Sequence, residues 1–387
     1  MYRIGKEEAD AVARVIDSKQ LFKINDGLKE VENCEKEMKE IFGTKNALLM
    51  TSGKAALISA LVGMGIGPGD EVIVPGYTYL ATAVAVVAAG AIPVIAEVDE
   101  TLTLSPEDFE RKITPHTKAV IPVHIQGFPC NMEKICEIAD KHGIKVLEDA
   151  CQADGGSFKG KRLGTWGEAG ALSFNFFKII SAGEGGVLFT DNSEVWQRAL
   201  IYHDSSAVSF FGDQLQDVEE DVFCGTEYRS NEITAAILRE QLKKMDTILG
   251  DLRRIKKTMM DALASDYKFI PSYDIEGDCG TTLAFRFDSE EDARRFAETE
   301  GVDGRLPIDT GKHVYTNWTP IMNKKGAFHP LMDPFKMEAN KDIIPDYKPD
   351  MCPETLKWLS RTVYVDINPD WTDEQIAEKI EILKAAK

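Results

Sequence analysis

One lysine of this sequence lies in a setting that favours covalent chemistry. Lys178 follows an apolar, strand-like run at residues 170–175 and precedes a glycine turn at residues 183–186. The residues that flank it are apolar: Phe176, Phe177, Ile179 and Ile180. A desolvated lysine loses its proton more easily and becomes a nucleophile near neutral pH. An exposed loop lysine is the common alternative, but it leaves the apolar neighbours unexplained. Ser173, earlier on the same run, could hold a phosphate oxygen.

A carboxylate and an amide follow another apolar run. Asp149 and Gln152 belong to residues 147–152, LEDACQ. In parallel α/β sheets, ligands bind at the carboxyl ends of the strands. An aspartate there can pair with a protonated pyridine nitrogen and make the ring a better electron sink, and Gln152 could reach a phenolic oxygen on that ring. An aspartate that caps a local turn is an equally good interpretation of this run alone.

Two further runs could complete a site for a flat, phosphorylated ligand. Residues 51–57, TSGKAAL, make a small-residue turn that opens a helix, where free N–H groups and the helix dipole attract anions. An ordinary capped helix is the alternative. At residues 75–82, PGYTYLAT, Tyr79 stands at a strand-to-helix junction and could stack on a planar ring or pack in the core. Together the four runs point to one cofactor, pyridoxal 5′-phosphate, although none does so alone.

Alternating strand-like and helical runs between about residues 45 and 190 would position these groups. Such alternation predicts a mostly parallel sheet with helices on both faces. The central runs are almost continuously apolar, as a sheet covered on both faces requires. The strand-like runs are residues 71–75, 92–98, 118–124, 145–150, 170–175 and 185–190. The helical runs are residues 54–65, 78–90 and 132–143.

The C-terminal third has a different character. A long helical run, residues 231–258, leads away from the alternating pattern. After it come a strand at 283–289, a helix at 290–301, an irregular stretch at 306–353, a strand at 362–367 and a helix at 372–386. The last helix opens with Thr372 and Gln375, a capping-box pattern. We therefore predict a large domain, residues 1–250, that binds the cofactor, and a smaller α+β domain, residues 251–387.

Composition argues against several other functions. The 387-residue chain has a formal net charge of −19, which disfavours binding to nucleic acid. Residues 1–20 lack the apolar core of a signal peptide, and the most apolar stretch, residues 81–96, is too short and broken to span a bilayer. Seven cysteines without CxxC spacing and six ungrouped histidines indicate reduced thiols and no metal site. We predict a cytoplasmic protein that binds neither nucleic acid nor a membrane.

The motifs and their order resemble those of one family, the DegT/StrS sugar aminotransferases. The matching motifs are Ser-Gly-x-Ala-Ala-Leu at 52–57, Pro-x-x-Thr-aromatic-x-Ala-Thr at 75–82, Glu-Asp-x-x-Gln-Ala at 148–153, Gly-Thr-x-Gly-x-x-Gly-x-x-Ser-Phe at 164–174, Lys178, and Gly-Glu-Gly-Gly at 183–186. The resemblance runs from about Ile4 to the C-terminus. It implies a pyridoxal-phosphate enzyme of the aspartate-aminotransferase fold, fold type I. That fold is a three-layer α/β arrangement around a mostly parallel sheet, with a smaller C-terminal α+β domain.

The resemblance also implies roles for individual residues. Lys178 would hold the cofactor as a Schiff base and shuttle the proton, with pyridoxamine 5′-phosphate formed in the first half-reaction. Asp149 would pair with the pyridinium nitrogen, Gln152 would contact the phenolic oxygen, and Tyr79 would stack on the ring. The residues expected to line the phosphate pocket are Gly53, Lys54 and Ser173.

Two positions depart from the family pattern. Lys54 stands where relatives usually have threonine. Glu227 stands where they have the asparagine of Gly-x-Asn-x-Arg, which in relatives reaches the phosphate from the neighbouring subunit. A glutamate alone would repel a phosphate dianion. One hypothesis is that Lys54 contacts the phosphate and pairs with Glu227 across a dimer interface. The alternative, equally supported by the sequence, is that Glu227 points away.

The C-terminal third is similar to the branch that contains the 8-amino-3,8-dideoxy-manno-octulosonate aminotransferase. The similar stretches are residues 20–23, 304–318, 359–362 and 370–376. The resemblance implies a homodimer with shared active sites, L-glutamate as amino donor and a keto-sugar such as 3,8-dideoxy-8-oxo-octulosonate as acceptor. An arginine or lysine must hold the donor's carboxylates. The candidate substrate residues are Lys23, Arg229, Arg305, Arg361 and Tyr315, and the sequence does not choose among them. We expect His203 to be a solvated loop histidine.

Other functions use related folds. A sugar 3-dehydratase of the same fold has histidine in place of the Schiff-base lysine, and Lys178 argues against it. A non-catalytic ligand sensor would have no reason to keep Lys178, Asp149 and Gln152 together. A cysteine desulfurase needs a mobile loop with a nucleophilic cysteine, which is not found. The sequence therefore predicts a pyridoxal-phosphate-dependent aminotransferase that acts on a keto-sugar.

Overall fold

Short buried strands form the centre of the computed structural model, which describes residues 3–210 and 218–387. Numbered along the chain, the strands are β1 (Asn46–Met50), β2 (Glu71–Pro75), β3 (Ile92–Ala96), β4 (Thr117–Val120), β5 (Lys145–Asp149), β6 (Ser157–Phe158), β7 (Lys161–Arg162), β8 (Ala169–Ser173), β9 (Gly186–Thr190), β10 (Lys268–Phe269), β11 (Thr282–Arg286) and β12 (Thr362–Asp366).

The main sheet has the strand order β1-β9-β8-β5-β4-β2-β3. From β8 to β3 every neighbouring pair is parallel, whereas β9 is antiparallel to both β8 and β1. The predicted α/β class with a mostly parallel sheet is confirmed. The run at 118–124 is cut short, and β4 ends at Val120. Pro122 follows closely and has no N–H with which to continue the ladder.

Helices cover both faces of this sheet. They are α1 (Lys6–Ser18), α2 (Glu30–Phe42), α3 (Gly53–Gly63), α4 (Ala81–Ala88), α5 (Pro106–Arg111), α6 (Met132–His142), α7 (Ser193–His203), α8 (Glu232–Leu263), α9 (Glu290–Ala297), α10 (Thr319–Met322), α11 (Pro353–Ser360) and α12 (Asp373–Ala385). Alternate residues of β1 point to opposite faces. Leu49 packs in the cluster that contains α2, α6 and α8, while Leu48 and Met50 pack in the cluster that contains α3, α4 and α7.

Capping residues fix where several helices begin. Thr372 Oγ1 accepts from the N–H of Gln375 at 3.3 Å, and Gln375 Oε1 accepts from the N–H of Thr372 at 2.9 Å. These reciprocal bonds satisfy two N–H groups that a helix start leaves unpaired, so the predicted capping box of α12 is confirmed. None of the helices among the described residues is long and apolar enough to cross a membrane.

The C-terminal part contains a small antiparallel sheet, β10-β11-β12, flanked by α9 and α12. The irregular stretch at 306–353 forms short 3₁₀ turns and α10. It packs on the large sheet, because Tyr315, Trp318 and Phe335 belong to the same core cluster as α3 and α4. Residue 250 lies inside the continuous helix α8. The division into residues 1–250 and 251–387 stays a prediction.

Candidate active site

Lys178 lies on the loop that joins the carboxyl end of β8 to β9. The N–H of Phe174 donates to Gly185 O at 2.9 Å and that of Phe176 to Gly183 O at 3.0 Å, which closes the base of the loop. The N–H of Lys178 donates to Asn175 O at 3.0 Å and tightens its tip. The Lys178 side chain is half-buried, and its Nζ makes no ion pair in the part of the chain that the structure describes. The amine is therefore available to a ligand.

Only two of the four apolar neighbours that were expected to shield Lys178 from water are buried. Ile179 and Ile180 are buried, but Phe176 is largely open and Phe177 is 79% exposed. The two phenylalanine rings contact each other edge to face, with centroids 5.2 Å apart. The expectation that all four neighbours desolvate Lys178 is wrong for these two residues within one chain, because they stand at the tip of the turn.

Asp149 ends β5, next to β8, and two donors hold its carboxylate. Oδ2 accepts from Thr82 Oγ1 at 2.7 Å, and Oδ1 accepts from the N–H of Cys151 at 3.2 Å. Thr82 has one hydroxyl proton and gives it to Asp149, so the 2.8 Å contact between Thr82 Oγ1 and Thr78 Oγ1 uses the proton of Thr78. The buried carboxylate is thus fixed in one orientation, and each oxygen keeps a lone pair for a further donor.

Gln152 is oriented by a strained residue of the neighbouring loop. Its Oε1 accepts from the backbone N–H of Gln126 at 3.0 Å. Since a backbone N–H can only be accepted by the amide oxygen, the NH₂ group of Gln152 points the other way. Gln126 has φ +54°, in the left-handed region that costs energy for a non-glycine residue. Its C=O accepts from Thr281 Oγ1 at 2.7 Å, which ties this loop to the residues before β11.

The start of α3 meets the ends of β5 and β8 closely enough to exclude a side chain. A Cβ added to Gly53 would lie 2.6 Å from Cys151 Sγ and 2.8 Å from Ser173 Cβ. Ser52 caps the helix, its hydroxyl accepting from the N–H of Ala55 at 3.1 Å. The N–H groups of the first turn therefore open onto the same sheet edge as Ser173, where the helix dipole attracts an anion.

Lys54 and Tyr79 are the more exposed members of the predicted site. Lys54 is exposed and makes no ion pair within residues 3–210 and 218–387. The Tyr79 ring is about half exposed, and its centroid lies 5.6 Å from that of His313 at an interplanar angle of 52°. The Nζ of Lys312 lies 5.2 Å from the Tyr79 ring centroid. No motif marks Lys312 or His313 as functional, because nothing near them in the chain suggests chemistry.

Two titratable groups of the site have strongly shifted pKa values. Burial is the largest of the effects that lower the pKa of His313 to about 4; the backbone of Thr310 opposes it, and the charges of nearby cations, among them Lys312 and Lys178, add to it, so the ring is neutral at neutral pH. Asp154 is fully buried, and neither carboxyl oxygen has a hydrogen-bond partner among the described residues. Burial raises the pKa of Asp154 well above its ordinary value, an effect that the charge of Lys178 partly offsets.

Two of the candidate cations, Arg229 and Lys23, are already paired within the chain. Arg229 forms ion pairs with Asp204 and, at 2.6 Å, with Glu227, whose Oε1 also accepts from the N–H of Arg229 at 3.1 Å. Lys23 is buried, and its Nζ lies 3.0 Å from Glu35 Oε1. Neither cation is free to hold a substrate carboxylate in this structure.

Arg305 and Tyr315 are also occupied. Arg305 pairs with Asp366 at 2.8 Å. Tyr315 is 0% exposed, and its hydroxyl donates to Pro349 O at 2.5 Å and accepts from the N–H of Cys352 at 3.2 Å. Tyr315 is therefore a core residue here and presents no surface to a substrate. A tyrosine side chain that is buried in the core cannot at the same time contact a substrate.

His203 corrects another expectation. It is 1% exposed at the end of α7, and its Nδ1 lies 2.7 Å from Leu200 O. Burial lowers its pKa well below the ordinary value, with Lys23 and Arg229 acting in the same direction. The expected solvated loop histidine is thus a neutral, buried one, because the last turn of α7 carries the residue into the core.

The structure therefore gathers Lys178, Asp149, Gln152, Gly53 and Ser173 at one carboxyl edge of the sheet. An aldehyde, a pyridine nitrogen and a phosphate need an amine, a carboxylate and a helix N-terminus at such an edge. Fold and site together define a pyridoxal-phosphate enzyme of the α/β type. The model of the DegT/DnrJ/EryC1/StrS aminotransferase family matches residues 2–288 of this chain.

Relatives and solved structures agree with this match. The chain is 31% identical to the spore coat polysaccharide biosynthesis protein SpsC of Bacillus subtilis (strain 168), over 98% of this chain and 94% of that protein. It is 34% identical to the L-glutamine:2-deoxy-scyllo-inosose aminotransferase of Streptomyces kanamyceticus, over 84% of this chain and 77% of that enzyme. The structure of an aminotransferase from Psychrobacter cryohalolentis superposes with a TM-score of 0.80 at 27% identity, over 99% of this chain and 97% of that one.

The chain belongs to the DegT/DnrJ/EryC1/StrS aminotransferase family. It is a sugar aminotransferase, and its cofactor is pyridoxal 5′-phosphate.

Proposed function

We propose that this sugar aminotransferase takes an amino group from L-glutamate and transfers it to an octulosonate-like keto-sugar, 3,8-dideoxy-8-oxo-octulosonate or a close relative. The similarity of residues 304–318, 359–362 and 370–376 to that branch of the family supports the acceptor. The relative from Streptomyces kanamyceticus is named for L-glutamine as donor, so both amino acids belong in the test.

One observation carries the placement of the cofactor. At Gly53 the start of α3 approaches Cys151 and Ser173 so closely that a Cβ would clash with both, and any side chain would push the helix N-terminus away from the sheet edge. Gly53, Ser173 and the N–H groups of the first turn would hold the phosphate there. The ring would extend toward Asp149 and Gln152 with Tyr79 over one face. The described residues fit the cofactor at each of these positions.

When bound, pyridoxal phosphate would act as an electron sink, and it would carry the amino group by changing between its pyridoxal and pyridoxamine forms. Lys178 would attach it covalently and, once released, would move a proton at the Cα atom of the donor. Asp149, held by Thr82 and Cys151, would keep a proton on the ring nitrogen. Gln152, whose oxygen faces Gln126, would present its NH₂ group to the phenolic oxygen.

We also propose a homodimer whose subunits complete each other's sites. Phe176, Phe177 and Tyr79 leave apolar surface open beside Lys178, and a second copy would cover it. Lys54 would then meet the phosphate and Glu227 of the partner subunit. Within one chain Glu227 already pairs with Arg229, so the contact with Lys54 would be a second ion pair of the same carboxylate. A cytoplasmic location and the roles of Lys23, Arg229 and Arg305 toward substrate stay predictions, whereas a substrate role for Tyr315 conflicts with its burial.

The test combines covalent trapping with turnover. Protein reconstituted with pyridoxal phosphate is reduced with borohydride, digested and mapped, and the label is expected on the peptide that contains Lys178. Lys178→Ala should carry no label, whereas Lys36→Ala, an exposed lysine far from the site, should be labelled normally. L-glutamate should then bleach the yellow chromophore, and the keto-sugar should restore it.

One result would contradict the assignment of Lys178, and another would contradict only the choice of amino donor. A label on another lysine would remove the catalytic assignment. Bleaching by L-glutamine but not L-glutamate would correct the donor alone. A panel of keto-sugars, with and without an acidic group and with and without a nucleotide, would test the acceptor by the return of the chromophore.

A further inference from the structure

Most of the cations that the sequence offered for binding the donor's carboxylates are already paired in the folded chain. Arg229, Lys23 and Arg305 each hold a carboxylate of this chain already. Arg361 precedes β12, at the opposite end of that strand from Asp366, the partner of Arg305. The backbone of Arg305 pairs with Tyr364, three residues beyond Arg361, so the two arginines lie about 10 Å apart along β12. Three of the four cations named from the sequence are thus occupied, and other cations beside the site become candidates for holding an amino-acid donor.

Lys312 stands beside the site with its charge unpaired. Its side chain is exposed, its Nζ lies 5.2 Å from the centroid of the Tyr79 ring, and it forms no ion pair among the residues that the structure describes. An aromatic face attracts a cation, which favours this position of the flexible side chain over others. A lysine in contact only with a ring keeps all three of its N–H donors for an anion.

The backbone that carries Lys312 is held on both sides. Its C=O accepts from the N–H of Leu80 at 3.0 Å and from Trp318 Nε1 at 3.1 Å. The C=O of His313 accepts from the N–H of Thr78 at 2.9 Å. These bonds fix the segment to the start of α4 and to a buried tryptophan. The position of Lys312 relative to Tyr79 is therefore part of the fold and does not depend on a mobile loop.

The surroundings of Lys312 are positive although the chain as a whole is acidic. The charges that act most strongly on His313, the next residue, are those of Lys312, Lys178 and Arg305. His313 itself is neutral, and its buried Nδ1 has no hydrogen-bond partner among the described residues. The charges of three cations thus act on one neutral imidazole. A region of positive potential of this kind attracts an anion.

We propose that Lys312 binds a carboxylate of the amino donor, with Tyr79 supporting its side chain and His313 packed beside the Tyr79 ring. This inference rests on the proposed function, because it assumes that the donor is an amino acid bound beside Lys178. A carboxylate accepts charge-assisted hydrogen bonds from an ammonium group, which is what the exposed Nζ offers. Lys312 would be a substrate-binding residue and would not take part in holding the cofactor.

Binding of an unreactive dicarboxylate tests the inference without turnover. Glutarate is titrated by calorimetry into cofactor-loaded protein. Lys312→Met is expected to weaken glutarate binding about tenfold, the loss expected for one charge-assisted contact. Lys312→Arg should keep affinity within about threefold because the charge remains. Lys324→Met is the matched control, since Lys324 Nζ also lies over a tyrosine ring, 6.0 Å from the Tyr347 centroid, and should leave affinity unchanged.

A second arm distinguishes the donor from a nucleotide-linked acceptor. The same proteins are titrated with UDP. Weaker glutarate binding by Lys312→Met with unchanged UDP binding supports the proposal. Unchanged glutarate binding, or a loss confined to UDP, overturns it. Borohydride labelling of Lys178 is measured on every variant, so a failure of the cofactor assignment appears there and not in the glutarate titration.

Discussion

Replacing Asp154 by asparagine is expected to make the free energy of unfolding less dependent on pH. The Asp154 carboxyl is 0% exposed, its two oxygens have no hydrogen-bond partner among the described residues, and burial raises its pKa well above the ordinary value. The groups around it are Lys178, Cys151, Cys279 and the backbone N–H groups of Ile179 and Ile180, and the lysine and the two N–H groups oppose the effect of burial. The folded protein therefore keeps a proton that the unfolded chain, with an aspartate pKa of about 3.9, releases.

The sign and size follow from proton linkage. Where the folded state binds one proton more than the unfolded state, stability is greatest below the unfolded pKa and falls as pH rises toward the folded pKa. The slope for one group is about 1.4 kcal/mol per pH unit. Asparagine does not titrate, so the stability of Asp154→Asn relative to the natural protein should rise with pH above about pH 4, by at most about 1.4 kcal/mol per pH unit. Altered hydrogen bonding of the new amide adds only a constant offset.

Urea unfolding of the cofactor-free proteins at several pH values measures this difference. Cofactor is removed because a ligand that binds only the folded state would add its own stabilisation. Asp342→Asn, an exposed carboxyl, is the control and should give a difference that does not vary with pH. A difference for Asp154→Asn that stays constant, or that falls with rising pH, would refute the reasoning and indicate an ionised Asp154 paired with Lys178.

Three further outcomes are expected. Gly53→Ala places a methyl carbon only 2.6 Å from Cys151 Sγ and would displace the start of α3, so pyridoxal-phosphate affinity should fall more than tenfold in equilibrium dialysis; normal affinity would show that the phosphate lies elsewhere. Glu227→Lys should weaken both cofactor binding and dimerisation in sedimentation experiments if Lys54 meets Glu227 across an interface, and neither effect would appear if Glu227 points away. Thr372→Ala should lower the free energy of unfolding by about 1 kcal/mol by removing the cap of α12, and a change below about 0.3 kcal/mol would contradict that role.

Features that depend on local pattern were predictable from the sequence. The apolar run at 71–75 became β2 with unchanged bounds, since a strand covered on both faces must be apolar throughout. The helix at 132–143 and the capping box at Thr372 and Gln375 follow from periodicity and from donors a few residues apart. The family could be recognised for the same reason, because its motifs are short runs of adjacent residues.

Partners that lie far apart in the chain could be known only from the tertiary structure. Arg229, Lys23 and Arg305 look alike as sequence, yet each is neutralised by a carboxylate that folding brings to it. The opposite is true of Lys312, which no motif marks and which folding places over Tyr79 without an ion pair to any residue that the structure describes. Burial could not be predicted from the sequence either, because His203 is buried and Phe177 is exposed in the folded chain. The sequence thus determined which chemical groups the chain possesses and which local elements it forms. Folding decided which groups remain free, because solvation and charge pairing depend on neighbours that the order of residues does not specify.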